Sequence, residues 1–467
     1  MMRCSFACLA VAILFTGACT RSHQTGLDRY IAAPDPTYHW DLVSTTKAEG
    51  YTLYVIDMTS QTWRSVGEVD RPQWKHWVLI VKPDVVRHDT GFLFINGGSN
   101  GKPAPTGADP YMVELATGTG SVVSEVRMIP NEPLTFIGDD TRPRTEDDLI
   151  AHTWIKFMTT GDETWPARNP MTKAAVRAMD TVQAAMKRND AGRVPVKHFV
   201  VAGGSKRGWT TWTTAAMDKR VVAIAPMVID CLNSDVSMKH HFAAYGFWAP
   251  SVGDYLRNGV MKWMNTPQHR ALMDLEDPYS YRGRYTMPKF IVNAAGDQYF
   301  LPDSSQFYFD DLPGEKHLRY VANADHSLRE SDARQSLYAF YESILTGTKR
   351  PEFSWTFCDN DSIIVRTDTK PLSVTLWQAS NPNARDFRVE SIGRAYHPTP
   401  MTEQTPIPAT GPTAGLYIAS VPKPDQGWTA YFVELTYPSG GKYPFKFTTP
   451  VRVTPDTLPF KDKTPDN

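Results

Sequence analysis

The sequence lacks a strong net charge, and this argues against two classes of partner. Its 49 Lys and Arg residues nearly balance its 50 Asp and Glu residues, which leaves a formal net charge of −1. Proteins that bind nucleic acids or anionic membrane surfaces usually carry a basic patch or a basic excess. We therefore expect no nucleic-acid partner, and membrane contact only through a possible N-terminal lipid anchor.

Cysteine is also scarce, with five residues in a chain of 467. Cys4, Cys8 and Cys19 fall in or beside a predicted leader, so Cys231 and Cys358 are left for the folded part. In an oxidising compartment these two could form a disulfide, or they could be separate buried thiols, and the sequence leaves both open. Two cysteines without ligand spacing do not predict a metal site, and no phosphate-loop motif is present. We predict no metal and no cofactor.

Long hydrophobic runs are missing too, apart from a short one near the N-terminus. The run Phe6–Phe15 follows Arg3 and is too short to span a bilayer, as in a signal peptide. The sequence Thr16-Gly17-Ala18-Cys19 resembles a lipoprotein cleavage site, so we predict a signal peptide over 1–18 and lipidation of Cys19. Thr16 stands where such sites usually carry Leu, so ordinary secretory cleavage is the alternative. Either cleavage predicts an exported protein, in the periplasm or outer membrane as a lipoprotein, or secreted.

The most informative stretch is residues 196–216. An apolar run, Phe199–Ala202, has the pattern of a buried parallel strand and is followed by Gly203-Gly204-Ser205-Lys206-Arg207-Gly208. A strand, glycines, a serine and then a helix are typical of a nucleophile elbow, the tight turn that exposes a catalytic serine. The second glycine comes one position later than in the usual G-x-S-x-G pattern, and Gly-Gly-Ser also occurs in flexible loops.

Strands and helices alternate along the first two thirds of the chain. This rhythm predicts the α/β class, with a mostly parallel sheet covered by helices. Two antiparallel strands are predicted first, at 51–58 and 73–82. Predicted buried strands follow at 91–96, 199–202, 221–229, 289–294 and 318–321, and predicted helices at 147–158, 171–187 and 331–345.

Three strand ends supply residues for nucleophilic catalysis. Ser205, Asp297 and His326 each come just after a predicted strand, in the chain order of an α/β-hydrolase triad. The histidine would take the proton of the serine, and the aspartate would orient the imidazole. Asp230 and Asp303 are rival acids, also near strand ends.

Backbone N–H groups are the predicted stabilisers of the oxyanion. One comes from Lys206, at the start of the helix after the serine, and the others from Gly98 and Ser99 in the glycine-rich loop 97–101. A plain strand-to-helix turn is the alternative for that loop.

The alternation of predicted strands and helices stops at about 231–287, where we predict a helical cap over the site. Tyr245, Trp248, Trp263 and His241 are the predicted substrate-binding residues, for a small-molecule or peptide substrate. The alternative is that these rings form the core of the cap itself. No residue at metal spacing joins His240-His241, so structural or substrate-contact roles are favoured there.

The remaining boundaries follow from composition. Residues 19–40 are predicted to be a polar tether, and 41–348 the α/β-hydrolase-like domain. Short alternating runs over 350–455 predict a β-sandwich of immunoglobulin or fibronectin type, with a disordered tail over 456–467.

Four segments carry a resemblance to a known family. GGSKRGWTTW, GDQYFLPD, NADHSL and HHFAAYGFWAP resemble the PhoPQ-activated pathogenicity-related protein family, over about residues 30–450. The resemblance implies a secreted or envelope bacterial protein with an α/β-hydrolase-like core, linked to virulence and in some members to resistance against antimicrobial peptides. The Ser205-Lys206 pair is also locally similar to glucuronoyl esterases, which carry Arg after their serine.

Two functional hypotheses follow. The first is an exported serine hydrolase that acts on an ester, amide or peptide bond. The second is a non-catalytic binding protein on the same scaffold, which sequesters a peptide or adheres to a surface. Ser, Asp and His in order at three strand ends favour the first hypothesis, and the displaced glycine favours the second.

Overall fold

The chain begins with a helix that is docked on the body of the protein. The computed structural model describes residues 24–140, 142–359, 362–404 and 415–464. Helix α1 (Gly26–Ala32) is capped by Thr25, whose side chain accepts from the N–H of Asp28. Leu27 is buried, and Arg284 holds the Asp28 carboxylate at 2.7 Å. The prediction of a tether over 19–40 is therefore wrong for this segment, and residues 19–23 lie outside the described residues.

The first three strands are antiparallel neighbours at one edge of the main sheet. They are β1 (His39–Ala48), β2 (Tyr51–Thr62) and β3 (Gln73–Pro83). Alternate residues of β2 belong to different cores: Leu53 and Val55 to one, Tyr54 and Ile56 to the other. Because successive side chains of a strand point to opposite faces, the sheet is buried on both faces from its second strand onward.

The centre of the sheet is parallel. Its strands are β4 (Thr90–Ile95), β5 (Val123–Val126), β6 (His198–Gly204), β7 (Val221–Met227), β8 (Lys289–Ala294) and β9 (Lys316–Val321). The spatial order runs β3-β5-β4-β6-β7-β8-β9, and β5 pairs antiparallel with β3 but parallel with β4. This order, with helices on both faces, is the arrangement of an α/β-hydrolase scaffold, as the strand rhythm predicted.

Helices cover both faces of this sheet. Buried residues of α3 (Glu146–Thr160), α4 (Arg168–Met186) and α5 (Lys206–Met217) belong to one core, and those of α2 (Pro110–Thr119) and α9 (Ala333–Thr346) to the other. The three predicted helices match α3, α4 and α9 within a few residues. No helix among the described residues is long and apolar enough to cross a membrane.

The segment between β7 and β8 is helical, where the cap was predicted. It contains α6 (Ser234–Tyr245), α7 (Gly253–Arg257) and α8 (Pro267–Glu276), together with 3-10 turns at Pro250–Val252, Val260–Trp263 and Pro278–Arg284. A further 3-10 turn, Ser304–Phe307, follows β8. We call residues 231–287 the cap.

Most of the C-terminal strands belong to the main sheet. Strands β12 (Ser373–Asn381), β13 (His397–Pro400), β15 (Trp428–Tyr437), β16 (Phe445–Thr448) and β17 (Arg452–Thr454) continue the main sheet, because β16 pairs with β9 at Thr448 and Leu318. A second small sheet contains β10 (Phe353–Phe357), β11 (Ser362–Thr367) and β14 (Gly415–Ser420), and helix α10 (Val389–Ile392) lies between β12 and β13 in sequence. The predicted immunoglobulin-type sandwich is therefore not confirmed: the strands exist, but most of them extend the hydrolase sheet.

The start of the predicted disordered tail is ordered. The N–H of Phe460 donates to the carbonyl of Ala243 in α6 at 2.9 Å, and Leu458 packs against a small core that includes Tyr245 and Leu301. Residues 456–464 therefore dock on the cap, and 465–467 lie outside the described residues.

Candidate catalytic site

Ser205 lies at a strained turn between β6 and α5. Its φ and ψ are 57° and −127°, a conformation that residues with a side chain rarely adopt, and its N–H donates to the carbonyl of Met227 at 2.8 Å. A Cβ on Gly203 would lie 2.7 Å from the carbonyl oxygen of Arg207, and one on Gly208 would lie 2.9 Å from that of Met227. Both glycines therefore allow the strand and helix to approach closely, and Gly208 does so although it is displaced by one position.

Arg207 occupies the place where the usual elbow has its second glycine. Its guanidinium donates to Glu146 at 2.7 and 3.0 Å and to the carbonyl of Ile129. A Cβ on Gly97 would lie 2.6 Å from the guanidinium. The absence of a side chain at Gly97 therefore makes room for the arginine at the elbow.

Glu146 contacts several parts of the site. It also accepts from Nζ of Lys206 at 2.6 Å, while its own N–H donates to the carboxylate of Glu132. Burial raises the pKa of Glu146, but Arg207 and Lys206 outweigh this and hold it well below its usual range. Burial and the charge of Glu146 raise the pKa of Glu132. One carboxylate thus fixes both residues that follow the serine.

His326 is held by the segment that follows β8. Its Nδ1 lies 2.8 and 3.0 Å from the two carboxylate oxygens of Asp297, and its N–H donates to the side chain of Gln298 at 2.9 Å. The ring of Tyr299 packs against the imidazole, with centroids 4.3 Å apart. The Asp297 carboxylate itself accepts from the N–H of Tyr299 at 2.8 Å. The Nε2 of His326 is buried and has no hydrogen-bond partner in the described part of the chain.

The two rival acids have other partners. Asp303 is 2.6 Å from Arg385 and 3.1 Å from His240, and their charges hold its pKa well below its usual range although burial opposes this. Asp230 accepts from the hydroxyls of Tyr308 and Tyr320, each at 2.6 Å. Burial raises the pKa of Asp230 to about 7. Of the three aspartates, Asp297 is the one that pairs with His326.

The glycine-rich loop follows β4, next to the strand that carries Ser205. Gly98 has a φ of 134°, which favours glycine, and Ser99 forms an isolated parallel bridge with Glu132. The carbonyl of Gly97 accepts from the N–H of Met128 at 2.9 Å. The loop is thus fixed against residues 128–132, and Lys206 places its N–H in the first turn of α5, where the helix dipole favours negative charge.

Ser205 borders two cavities of different character. The first, which we call the cap cavity, has a volume of about 90 Å³ and lies between α3, α5 and the cap. The second, which we call the polar groove, has a volume of about 790 Å³ and is also bordered by His326. All residues that line the cap cavity are buried or half-buried, whereas the polar groove includes exposed residues such as Arg329 and Arg334.

The four predicted substrate-binding residues lie elsewhere. His241 is buried, accepts from the N–H of Ala249 at 3.0 Å and stacks on Trp248, and burial lowers its pKa to about 3. Tyr245 stacks on Phe247, and Trp263 packs against the main core. None of the four lines the cap cavity or the polar groove as described here, although Trp248 borders another groove.

Other residues, which sequence reasoning missed, surround the cap cavity. They include four methionines (Met238, Met261, Met264 and Met273) and five aromatic residues (Trp154, Trp209, Tyr255, Tyr299 and Phe300). Arg168 also borders it: its guanidinium lies 3.9 Å from the centre of the Trp209 ring and donates to the Tyr255 hydroxyl at 3.3 Å. Met238 lies on α6, Met261 and Met264 lie at one 3-10 turn, and Met273 lies on α8, so no single local pattern marked them.

Cys231 and Cys358, both among the described residues, do not form a disulfide with each other. Cys231 is buried, Cys358 is half-buried and both are free thiols. The predicted alternative of a disulfide between them is therefore wrong. Cys231 borders the cap cavity, and burial raises its pKa.

Comparison with known proteins finds a relative in sequence, similar solved structures and a matching family model. Autocrine proliferation repressor protein A of Dictyostelium discoideum is 40% identical over 458 residues, which cover 94% of this chain and 92% of that protein. Acetyl xylan esterase 1 from Thermoanaerobacterium sp. is 13% identical with a TM-score of 0.49, over 68% of this chain and 92% of that one. A glucuronoyl esterase from Solibacter usitatus is 14% identical with a TM-score of 0.41, over 69% and 90%. The family model of the PhoPQ-activated pathogenicity-related protein matches residues 27–388, and the chain belongs to this family.

Proposed function

We propose that this protein is a serine hydrolase in which Ser205 is the nucleophile, His326 the general base and Asp297 the residue that orients the imidazole. The observation that carries the proposal is the hydrogen bond between Asp297 and Nδ1 of His326. It leaves Nε2, the atom that must take the serine proton, free of partners among the described residues and beside the groove that Ser205 borders.

The reaction class follows from these roles. Ser205 attacks the carbonyl carbon of an ester, amide or peptide, and His326 takes its proton and gives it to the leaving group. The N–H groups of Lys206 and of Gly98 or Ser99 stabilise the oxyanion. One such donor contributes about 3 kcal/mol to catalysis in enzymes of this type. Water then releases the acyl group, again with His326 as the base.

The direct test is labelling with a fluorophosphonate, which reacts with activated serines and needs no known substrate. We expect the wild type to be labelled and Ser205→Ala to be unlabelled. Ser354→Ala is the matched control, because Ser354 is exposed on β10, and it should label like the wild type. A folded wild type that does not react, with the fold checked by circular dichroism, contradicts the proposal.

The second candidate function is binding without catalysis. It is favoured by the name of the Dictyostelium discoideum relative, which describes an autocrine repressor of proliferation and not an enzyme. The strained backbone at Ser205 favours catalysis, because a binding role gives no reason for this conformation. An unlabelled but folded wild type is the result that would favour the binding role.

We also propose that the protein is exported and anchored by a lipid on Cys19, as the leader sequence indicates; Cys19 itself lies outside the described residues. The links to virulence and to antimicrobial-peptide resistance are part of this proposal. In cells, the wild type should sediment with the membrane fraction and Cys19→Ala should not. Membrane association of Cys19→Ala would contradict the anchor.

A further inference from the structure

Ser205 stands between two cavities of opposite chemistry, and this determines which part of a substrate enters each. The cap cavity is walled by methionine and aromatic side chains, whereas the polar groove is bordered by acidic and basic side chains. The inference below rests on the proposed function, because it assumes that Ser205 forms an acyl-enzyme.

The position of His326 indicates which cavity holds each side of the scissile bond. In acyl transfer the histidine that deprotonates the serine must also protonate the leaving oxygen, so the leaving group lies beside the imidazole. His326 borders the polar groove and is not among the residues that line the cap cavity. The leaving group therefore occupies the polar groove, and the acyl group occupies the cap cavity.

The cap cavity restricts the acyl group in size. Its volume is about 90 Å³. An apolar cavity of about 150 Å³ binds one benzene molecule, which has six carbons, so a cavity of about 90 Å³ holds about three to four carbon atoms. This corresponds to a chain of about two to four carbons in total and leaves no room for a fatty acyl chain.

The cap cavity also restricts the acyl group in polarity. Four of the charged side chains in its wall pair with each other: Lys206 lies 3.4 Å from Asp147, and His269 lies 3.0 Å from Asp235. The fifth, Arg168, lies 3.8 Å from the carboxylate of Glu276. The guanidinium of Arg168 lies against the Trp209 ring. The rest of the wall of the cap cavity is mainly thioether and aromatic surface, which favours an apolar acyl chain.

The polar groove suits an uncharged, hydroxyl-rich leaving group. Its carboxylates and guanidinium groups are equal in number, which leaves no net charge to select an ion: Asp109, Glu125 and Glu330 against Arg207, Arg329 and Arg334. Several of these are already paired, as Glu125 is with Arg127 at 2.8 Å and Arg207 with Glu146. Such a surface offers donors and acceptors to hydroxyl groups, and its volume of about 790 Å³ accommodates a group as large as a sugar ring.

We infer that the enzyme removes a short apolar acyl group, of about two to four carbons, from a hydroxyl of a polar, polyol-like molecule. Oγ of Ser205 bonds to the acyl carbon, the ester C–O bond breaks, and the proton of the serine passes through His326 to the leaving oxygen. Water then attacks the acyl-enzyme, and a short carboxylic acid is released.

The acyl side is tested with 4-nitrophenyl esters from acetate to octanoate. We expect kcat/KM to be highest at two to four carbons and at least tenfold lower at eight.

Met238→Ala and, as a second variant, Met273→Ala enlarge the cap cavity and should raise kcat/KM for the hexanoate relative to the acetate at least tenfold. A general loss of stability cannot produce such a shift, because it affects all esters alike. Met401→Ala is the control, since Met401 packs against the other core, and its chain-length profile should match the wild type.

The alcohol side is tested with acetate esters of a sugar and of hexanol. We expect the sugar acetate to be hydrolysed with at least tenfold higher kcat/KM. Activity that rises steadily to octanoate, or methionine variants that alter preference for the alcohol instead of the acyl group, would overturn the inference. In both cases fluorophosphonate labelling of Ser205 would persist, so the proposed function would stand. Loss of labelling together with all ester hydrolysis would instead reject the proposed function, and this inference with it.

Discussion

At the scale of single residues, the three candidate aspartates are distinguished by what each one contacts. Asp297 contacts His326, whereas Asp303 forms a buried ion pair with Arg385 and contacts His240. Removing the charge of the first should therefore affect catalysis, and removing that of the second should affect stability.

We expect Asp297→Asn to lower kcat by about 10⁴-fold, because the amide no longer fixes the histidine tautomer. Asp303→Asn should instead lower the free energy of unfolding by about 3 to 5 kcal/mol, since it leaves the buried Arg385 guanidinium without a counter-charge. Both are measured by ester hydrolysis and urea unfolding at low temperature, where the folded state of Asp303→Asn is retained. If Asp303→Asn lost activity while folded and Asp297→Asn did not, the assignment of the acid would be wrong.

Asp230 makes stability depend on pH. Its pKa is raised to about 7 by burial, so the folded protein keeps this proton at pH values where the unfolded chain has lost it. The unfolded state then binds fewer protons, and the free energy of unfolding falls as the pH rises from about 4 to about 7.

We predict that Asp230→Asn removes this contribution. Between pH 5 and pH 7, the free energy of unfolding of the wild type should fall by about 2 kcal/mol more than that of the variant. Urea unfolding at the two pH values measures the difference. Asp274→Asn, at an exposed position of α8, is the control and should keep the pH dependence of the wild type. Equal slopes in wild type and Asp230→Asn would contradict the prediction.

The sequence predicts candidate catalytic residues where they follow the ends of predicted strands. Ser205, Asp297 and His326 could be proposed as a group because each comes within a few residues of the end of an apolar run. The partners Gln298 and Tyr299 could not, since their roles depend on how the segment after β8 folds back on His326. The predicted aromatic ligands failed for a similar reason: Tyr245 and Trp248 find neighbours within the cap, and a composition rich in aromatics does not tell which cavity they face.

At the scale of elements, the elbow and the glycine-rich loop are built to fit each other. The displaced glycine pattern places Arg207 where a small residue is usual, and Gly97 on the neighbouring loop leaves space for it. The sequence alone showed the departure from the usual pattern but not its compensation, because the two segments are more than a hundred residues apart.

We predict that Gly97→Ala lowers kcat/KM by about tenfold, because the new methyl group would push the Arg207 guanidinium away from Glu146 and the carbonyl of Ile129, which hold this residue of the elbow. In an Arg207→Ala background the same substitution should have little further effect, since the overlapping group is gone. Four proteins (wild type, both single variants and the double variant) assayed for ester hydrolysis complete the cycle. Gly101→Ala, in the same loop with nothing close to the added carbon but a φ of +76°, reports the cost of backbone strain alone. Additive effects of the two substitutions would contradict this coupling.

At the scale of the whole molecule, the alternating runs after residue 350 predicted strands correctly but not the sheet to which they belong. Pairing between distant strands is not encoded in local alternation. The decisive contact lies between β9 and β16, where Thr448 pairs with Leu318 and its hydroxyl accepts from the N–H of Tyr320 at 3.0 Å. Arg319 on β9 also forms a buried ion pair with Glu434 on β15. Residues 27–388, matched by the family model, therefore stop short of strands that complete the sheet.

Because the C-terminal strands share this sheet and its cores, we predict that the protein unfolds in one cooperative transition. In calorimetry, the van't Hoff and calorimetric enthalpies should agree, whereas an independent sandwich would give a second transition. Glu434→Gln should lower the midpoint of that single transition, at a cost of about 1.5 to 3 kcal/mol, because Arg319 loses its partner on β15 and keeps Asp332 at 2.8 Å. Glu163→Gln, which breaks the exposed pair with Arg29, should change the stability by less than about 1 kcal/mol. If Glu434→Gln instead separated an early transition of the C-terminal strands from a later one, the strands would be a module of their own, as the alternation in the sequence first indicated.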